Sequence, residues 1–221
     1  MNKQILFFIL CGLSTPLWAK PTFTLSSVTQ AQYQRMEKLK TPQSPLIEIT
    51  DAAAVKPLLK KQLLLKTVQD GLDEEHQQLV EKITDNHDKV LYVRPIADND
   101  YHEFFGSYYP TIHVLVTDNE FTTHVFDLAH HLTDSEVGLP YTYVESPSKR
   151  WRAALNDSPA SECDKFHVYQ KTKPNQAYKI VKNLSHLAVC EASWYFWTDN
   201  QHLYIKGGYE QKFKYYVLTI S

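Results

Sequence analysis

Residues 111–127 read TIHVLVTDNEFTTHVFD, and this stretch decides the fold. Two short runs lie on either side of Asp118 and Asn119. Within each run, apolar or β-branched residues alternate with polar ones. Alternation at every second residue is typical of a half-buried strand, and an Asp-Asn pair between two such runs can close a two-residue hairpin loop. The sequence therefore predicts an antiparallel hairpin.

The register of this hairpin follows from the length of its loop. A two-residue loop places Thr117 opposite Glu120, and counting back from that pair places His113 directly across from His124. The opposite face is predicted to be core, and it carries Ile112, Val114, Val116, Phe121, Thr123 and Val125.

Strand-like runs continue from Lys89 to the C-terminus, and the last three predict a meander. A short turn at residues 199–200 would pair Trp197 with His202, and the two glycines at 207–208 would turn the chain again. Both faces of this meander are rich in aromatic residues, so alternation alone does not show which face is buried.

Two helices are predicted before the sheet. The first begins at Thr50 and Asp51, and the second follows Asp73, because apolar residues at helical spacing come after each position. The apolar stripes comprise Val55, Leu58, Leu59, Leu63 and Leu65, and then Leu72, Leu79, Val80 and Ile83 together with His76. We therefore expect an α+β fold in which two N-terminal helices pack on a mostly antiparallel sheet that ends in the three-strand aromatic meander.

Residues 1–19 resemble a secretory signal peptide, since one lysine precedes an apolar run and Ala19 offers a small residue at the cleavage point. A retained anchor and a lipid attached to Cys11 are the alternatives. We expect a signal peptide at 1–19, an extended arm outside the core at 20–45 and a single α+β domain at 46–221. After cleavage no stable membrane span is expected, and the protein would be periplasmic or secreted, in a bacterial envelope.

The cysteines support the same location. Removing residues 1–19 removes Cys11 and leaves Cys163 and Cys190. In the oxidising compartment that an exported chain enters, such a pair is expected to form a disulfide. Two buried thiols are the alternative.

Composition excludes several classes of protein. The 221 residues carry 23 basic and 25 acidic side chains, and 43% of the chain is hydrophobic, which excludes a disordered or fibrous protein. Nucleic acid is not expected as a partner, since binding it requires a basic excess. The one basic cluster is Lys149, Arg150 and Arg152 around Trp151, and we expect it on the solvated face of a short helix.

Histidines and carboxylates concentrate in residues 124–136, HVFDLAHHLTDSE. Imidazole and carboxylate groups are ligands for zinc, but no established ligand spacing such as H-E-x-x-H is present. An exposed or hydrogen-bonded histidine cluster and a pH-responsive site are the competing interpretations. The candidate metal ligands are His113, His124, His130, His131 and Asp127.

Aromatic residues provide the second group of candidates. Rings in strands usually fill the core, but exposed Tyr and Trp residues favour recognition of other molecules because they are large and stiff. The candidate binding residues are Trp151, Trp194, Trp197, Tyr204 and Tyr215.

These observations favour binding over catalysis. The sequence has no G-x-S-x-G nucleophile motif and no glycine-rich phosphate loop. We expect an exported, non-catalytic protein without a cofactor that binds a protein partner in an accessory, inhibitory or immunity-type role. The alternative is a metal-assisted hydrolase that uses zinc at the histidine cluster in residues 113–136, and a carrier with an aromatic pocket is a third possibility.

Overall fold

A computed structural model describes residues 20–69, 76–95, 102–119, 121–156, 163, 165–209 and 212–221. Within these ranges the chain forms two α-helices, α1 (Gln30–Glu37) and α2 (Ala52–Val55), and fifteen strands. The strands are β1 (Phe23–Val28), β2 (Leu63–Gln69), β3 (His76–Thr84), β4 (Val90–Val93), β5 (Phe104–Tyr109), β6 (Val114–Asp118), β7 (Thr123–Asp127), β8 (Leu132–Thr133), β9 (Val144–Glu145), β10 (Trp151–Asn156), β11 (Lys165–Gln170), β12 (Lys179–Asn183), β13 (Tyr195–Trp197), β14 (His202–Tyr209) and β15 (Lys212–Ile220). Single 3-10 turns lie at Asp134–Glu136, Pro140–Thr142, Ser185–Leu187 and Ala192–Trp194.

The described strands make three antiparallel sheets. The large sheet has the order β2-β3-β5-β6-β7-β8, and β4 also pairs with β3. The middle sheet has the order β12-β11-β10-β9, and the C-terminal sheet has the order β1-β15-β14-β13. The predicted antiparallel architecture and aromatic meander are confirmed, but the helices are few. None of the described helices has the length and hydropathy that crossing a membrane requires.

β6 and β7 form the predicted hairpin in a different register. Thr117 pairs with His124, because the loop spans residues 119–122 and Asn119 accepts hydrogen bonds from two backbone N–H groups within it. The change is an even number of residues, so Val114, Val116 and Val125 keep their predicted core face. Phe121, also predicted as core, lies before β7 and is 65% exposed. The pairing of His113 with His124 is wrong, since His113 lies in the turn before β6 with a left-handed φ of 53°.

The large sheet is buried on both faces around β6. The first core, shared by all three sheets, includes Val114, Val116, Val125, Trp151, Phe166, Tyr195, Trp197, Leu203 and Leu218. The second core, on the opposite face, comprises Val55, Leu59, Leu63, Val80, Ile83, Tyr108, Leu115, Phe126 and Leu128. Neighbouring residues of β6 therefore point into different cores.

The second predicted helix is a strand. Residues 76–84 form β3, which pairs with β2, and the first helix is confined to α2. The pairing shifts by one residue between Leu64 and Leu65, and Val80 and Ile83 consequently face the same core although they are three positions apart. That spacing imitates a helix, which explains the wrong prediction. Leu72 and Asp73 lie outside the described residues.

The segment at 20–45 is not an arm outside the core. β1 pairs with β15 along its whole length. Thr29 caps α1 with a reciprocal capping box, and the ring of Tyr33 in this helix is buried, 5.1 Å from the ring of Phe196. Strand pairing and ring packing therefore join this segment to the C-terminal sheet.

The meander has a register one residue away from the predicted one. Trp197 pairs with Leu203 rather than His202, because the Asp199 carboxylate caps the turn by accepting from the backbone N–H groups of residues 201 and 202. A shift of one residue exchanges the faces of a strand. Trp197 and Leu203 consequently lie in the first core, while Phe196 and Tyr204 stack on the other side.

Gly207 and Gly208 lie within β14 and do not turn the chain. A Cβ on Gly207 would overlap the carbonyl oxygen of Leu187, so this glycine admits the backbone of the segment that leads to Cys190. Cys190 forms a disulfide with Cys163, which confirms the predicted pair.

Gly207→Ala is expected to lower the free energy of unfolding by about 1–3 kcal/mol, because the new methyl group must displace the Leu187 backbone. Urea unfolding of the disulfide-bonded protein measures the loss. Gly106→Ala is the matched control, since its added Cβ first meets a side-chain oxygen of Asp118, which can rotate away. An equal or smaller loss for Gly207→Ala would contradict this explanation.

Candidate functional site

The structure disperses the predicted metal ligands among separate pairs. His130 Nδ1 lies 2.8 Å from the carboxylate of Asp127, which also accepts from the His130 backbone N–H. His131 Nδ1 lies 3.0 Å from Asp85, and His113 Nδ1 lies 3.2 Å from the hydroxyl of Tyr108. These side chains therefore bind different partners.

His124 bridges two carboxylates. Its Nδ1 lies 3.1 Å from Asp134 and its Nε2 lies 3.5 Å from Glu103. Glu103 is buried and accepts hydrogen bonds from Thr117 and Asn119, so both ends of the imidazole contact fixed acceptors. In the part of the chain that the structure describes, no three His, Cys, Asp or Glu side chains are placed to hold one metal ion.

Asp85 holds the turn between β3 and β4 and was missed by sequence reasoning. Its buried carboxylate accepts from the backbone N–H groups of His87 and Lys89 and contacts the ring of His131. Although burial acts to raise the pKa of Asp85, the two N–H groups and the neighbouring histidines hold it below its usual range. The only sequence signal was the turn-like composition of residues 85–88, DNHD.

Asp85→Asn is expected to lower the free energy of unfolding near pH 7. Because the pKa of Asp85 is lower in the folded protein, the stabilising contribution of its charge is present at neutral pH and is lost as the pH falls through the folded pKa. The difference between wild type and variant should therefore shrink at acid pH. Unfolding by urea at neutral and at acid pH measures it, and a difference that stays constant would contradict the role of the charge.

The candidate aromatic residues divide into core and partly accessible groups. Trp151 and Trp197 are buried in the first core, and Trp197 Nε1 donates to the carbonyl of Val144. Burial removes both from any binding surface. Trp194, Tyr204 and Tyr215 are half-buried, and each packs against another ring.

The basic cluster does not form the solvated face of a helix. Arg152 lies in β10 and is only 8% exposed. Its guanidinium carbon lies 3.8 Å from the ring centroid of Tyr143 and 3.9 Å from that of Tyr178. Its Nη2 donates to Glu145 Oε1 at 2.8 Å, and Tyr178 donates to the same oxygen at 3.0 Å. Arg152 and Glu145 face each other across the short β9–β10 hairpin, whereas Tyr178 comes from the connection between β11 and β12. Sequence reasoning missed the group because it placed the basic residues on a helix.

A cleft of about 210 Å³ opens beside Arg152. We name it the Arg152 cleft. It lies between the open end of the β6–β7 hairpin, where β6 begins and β7 ends, and the connection from β11 to β12. Its walls include Ile112, Val114, Asp127, His130, Leu132, Glu136, Val137, Arg152, Lys171, Ala177 and Tyr178.

An exposed apolar and basic surface lies at the β2 edge of the large sheet, away from the cleft. Leu64, Lys82 and Val93 are cross-strand neighbours on β2, β3 and β4, and the apolar members are 58% and 55% exposed. No described strand pairs with the outer edge of β2. We name this region the β2 edge surface; it consists of Leu58, Lys60, Lys61, Leu64, Lys66, Lys82 and Val93, all of which are exposed.

Comparison of the chain with protein-family models, curated proteins and solved structures finds no match.

Proposed function

We propose that this protein is an exported binding protein whose β2 edge surface takes up an extended, acidic segment of a partner protein. The observation that carries the proposal is the exposed row of Leu64, Lys82 and Val93 beside an edge of β2 with which no described strand pairs. Isolated exposed apolar residues are common, but here two lie on one row of a sheet next to a strand edge that no other described strand covers.

The free edge favours an extended partner. An edge strand presents unpaired N–H and C=O groups to which another chain can add as a strand, and side chains such as Leu64 and Lys66 on one face then select its sequence. β2 is seven residues long, which suffices for such pairing. Strand addition therefore suits this surface better than docking of a folded globular face.

The charge of the surface favours an acidic partner. Its charged side chains are Lys60, Lys61, Lys66 and Lys82, and it contains no acidic residue. Opposite charges speed association and reject wrong partners, while like charges placed together oppose pairing. Two copies of this chain joined through β2 would bring their lysines together, so a second copy is a poor occupant.

The location rests on two features. Residues 1–19 have the pattern of a secretory signal, and Cys163 and Cys190 form a disulfide, which persists in oxidising compartments. Both support a periplasmic or secreted protein, and the short signal with a single lysine is the basis for proposing a bacterial envelope.

The metal-assisted hydrolase gains no support from the described donors. His130, His131 and His124 each contact a different carboxylate, and a catalytic zinc needs several donors converging on one point. Binding is therefore the function that the geometry favours.

The test is selection from a displayed library of random nine-residue peptides. Peptides bound by the wild type are expected to alternate apolar residues with Asp or Glu, and to slow amide hydrogen exchange in β2. The double variant Leu64→Glu, Lys66→Glu should weaken their binding roughly tenfold or more, since each substitution reverses or removes a favourable contact.

The matched control is Ile180→Glu, Lys182→Glu, which replaces an aliphatic residue and a lysine at the same spacing on β12, an edge strand of the middle sheet. Its binding should equal that of the wild type. Equal weakening by both double variants, or selected peptides without acidic residues, would refute the proposal. Concentration-dependent dimerisation through β2 would instead assign the surface to a second copy, and binding to anionic vesicles alone would assign it to a membrane.

A further inference from the structure

The Arg152 cleft contains a cation that is held rigidly and is only partly satisfied. Glu145 Oε1 accepts from Nε and Nη2 of Arg152, whereas Nη1 donates to no group in the described part of the chain. The rings of Tyr143 and Tyr178 fix the guanidinium plane from two directions. A planar guanidinium in a fixed position is a preorganised donor for an oxyanion.

A second cation contacts the same ring as the first. Lys171 lines the same cleft, and its Nζ lies 4.7 Å from the centroid of the Tyr178 ring that Arg152 also contacts. Lys171 forms no ion pair with any described carboxylate within 4.0 Å. Burial, followed by the charges of Arg152 and Lys149, lowers the pKa of Lys171, although Glu145 opposes this effect. A bound anion would relieve the repulsion between the two cations.

The remaining walls limit the charge and character of the ligand. Asp127 is occupied by His130 and by backbone N–H groups of its own turn, and Glu136 is exposed. With Glu145 beneath Arg152, these carboxylates oppose a multiply charged anion such as phosphate. The rest of the lining mixes apolar and polar side chains. The apolar ones include Ile112, Val114, Leu132, Val137 and Ala177, and the polar ones are Thr111, His113, Asn175 and Gln176.

We propose that the Arg152 cleft binds a small monocarboxylate with an apolar body, whose carboxylate accepts hydrogen bonds from Arg152 Nη1 and Lys171 Nζ. The volume of about 210 Å³ is below the range of roughly 300–1,000 Å³ that is usual for drug-sized ligands, so the ligand is small. The site does not share residues with the β2 edge surface, and it does not depend on the proposed partner.

The probe is hexanoate, titrated into the purified protein and followed by amide and arginine side-chain chemical shifts. Hexanoate is expected to shift the resonances of Val114, Ala177 and the Arg152 Nε–H, whereas hexanol and hexylamine should bind roughly tenfold more weakly because they lack the charge-assisted hydrogen bonds. Lys171→Gln should weaken hexanoate binding by about the same factor.

Lys179→Gln is the control, since this exposed lysine lies on β12 and does not line the cleft. The double variant at Leu64 and Lys66 should also bind hexanoate normally, which separates this site from the edge surface.

Arg152→Lys keeps the charge but loses the planar fork and should abolish the shifts. If that buried variant does not fold, Lys171→Gln decides the question. Equal binding of hexanol and hexanoate, preference for inorganic phosphate, or no shifts at millimolar hexanoate would overturn the proposal.

Discussion

Burial of β6 on both of its faces is the constraint on which the rest of the structure depends. Leu115 points into the second core and its neighbours Val114 and Val116 point into the first, and all three are at most 4% exposed. A strand of this kind needs cover on each side of its sheet. α2 and the residues that follow it cover one face, and the middle and C-terminal sheets cover the other.

This arrangement also determines where the cleft and the exposed surface lie. The first core joins β6 and β7 to the middle sheet, so Arg152 on β10 lies close to the ends of the hairpin and the cleft forms at that junction. Around Leu64 and Val93, by contrast, the large sheet presents exposed side chains. One sheet therefore contributes a narrow cleft where it meets another sheet and an open surface at its opposite edge.

The positions of the strands were predicted from the sequence more accurately than their pairing registers. Alternation identified β6, β7 and the three strands of the meander, because a repeat of two is imposed locally by the backbone. Registers depend on loop length, and Asn119 and Asp199 lengthen their loops by side-chain capping that a two-residue count ignores. The even shift kept Val114, Val116 and Val125 on the core face, while the odd shift changed which residues pair around Trp197.

The helix at 76–84 was wrong for a related reason, since the bulge between Leu64 and Leu65 places Val80 and Ile83 on one face. The candidate sites were harder still to predict. Arg152 is close to Tyr143 because β9 and β10 form a short hairpin, but it meets Tyr178 through packing of a later segment that no sequence spacing indicates. The histidines lie close together in sequence, but the turns before β6 and after β7 direct them to different partners.

The lysines of the β2 edge surface reconcile two opposing requirements. A free strand edge with exposed leucine and valine side chains promotes self-association, and proteins commonly protect such edges with lysine. Here the same charges that oppose pairing between identical chains favour an acidic partner, because the sign of the interaction depends only on the approaching segment. Protection against aggregation and selection of a partner can therefore be two consequences of one distribution of charge.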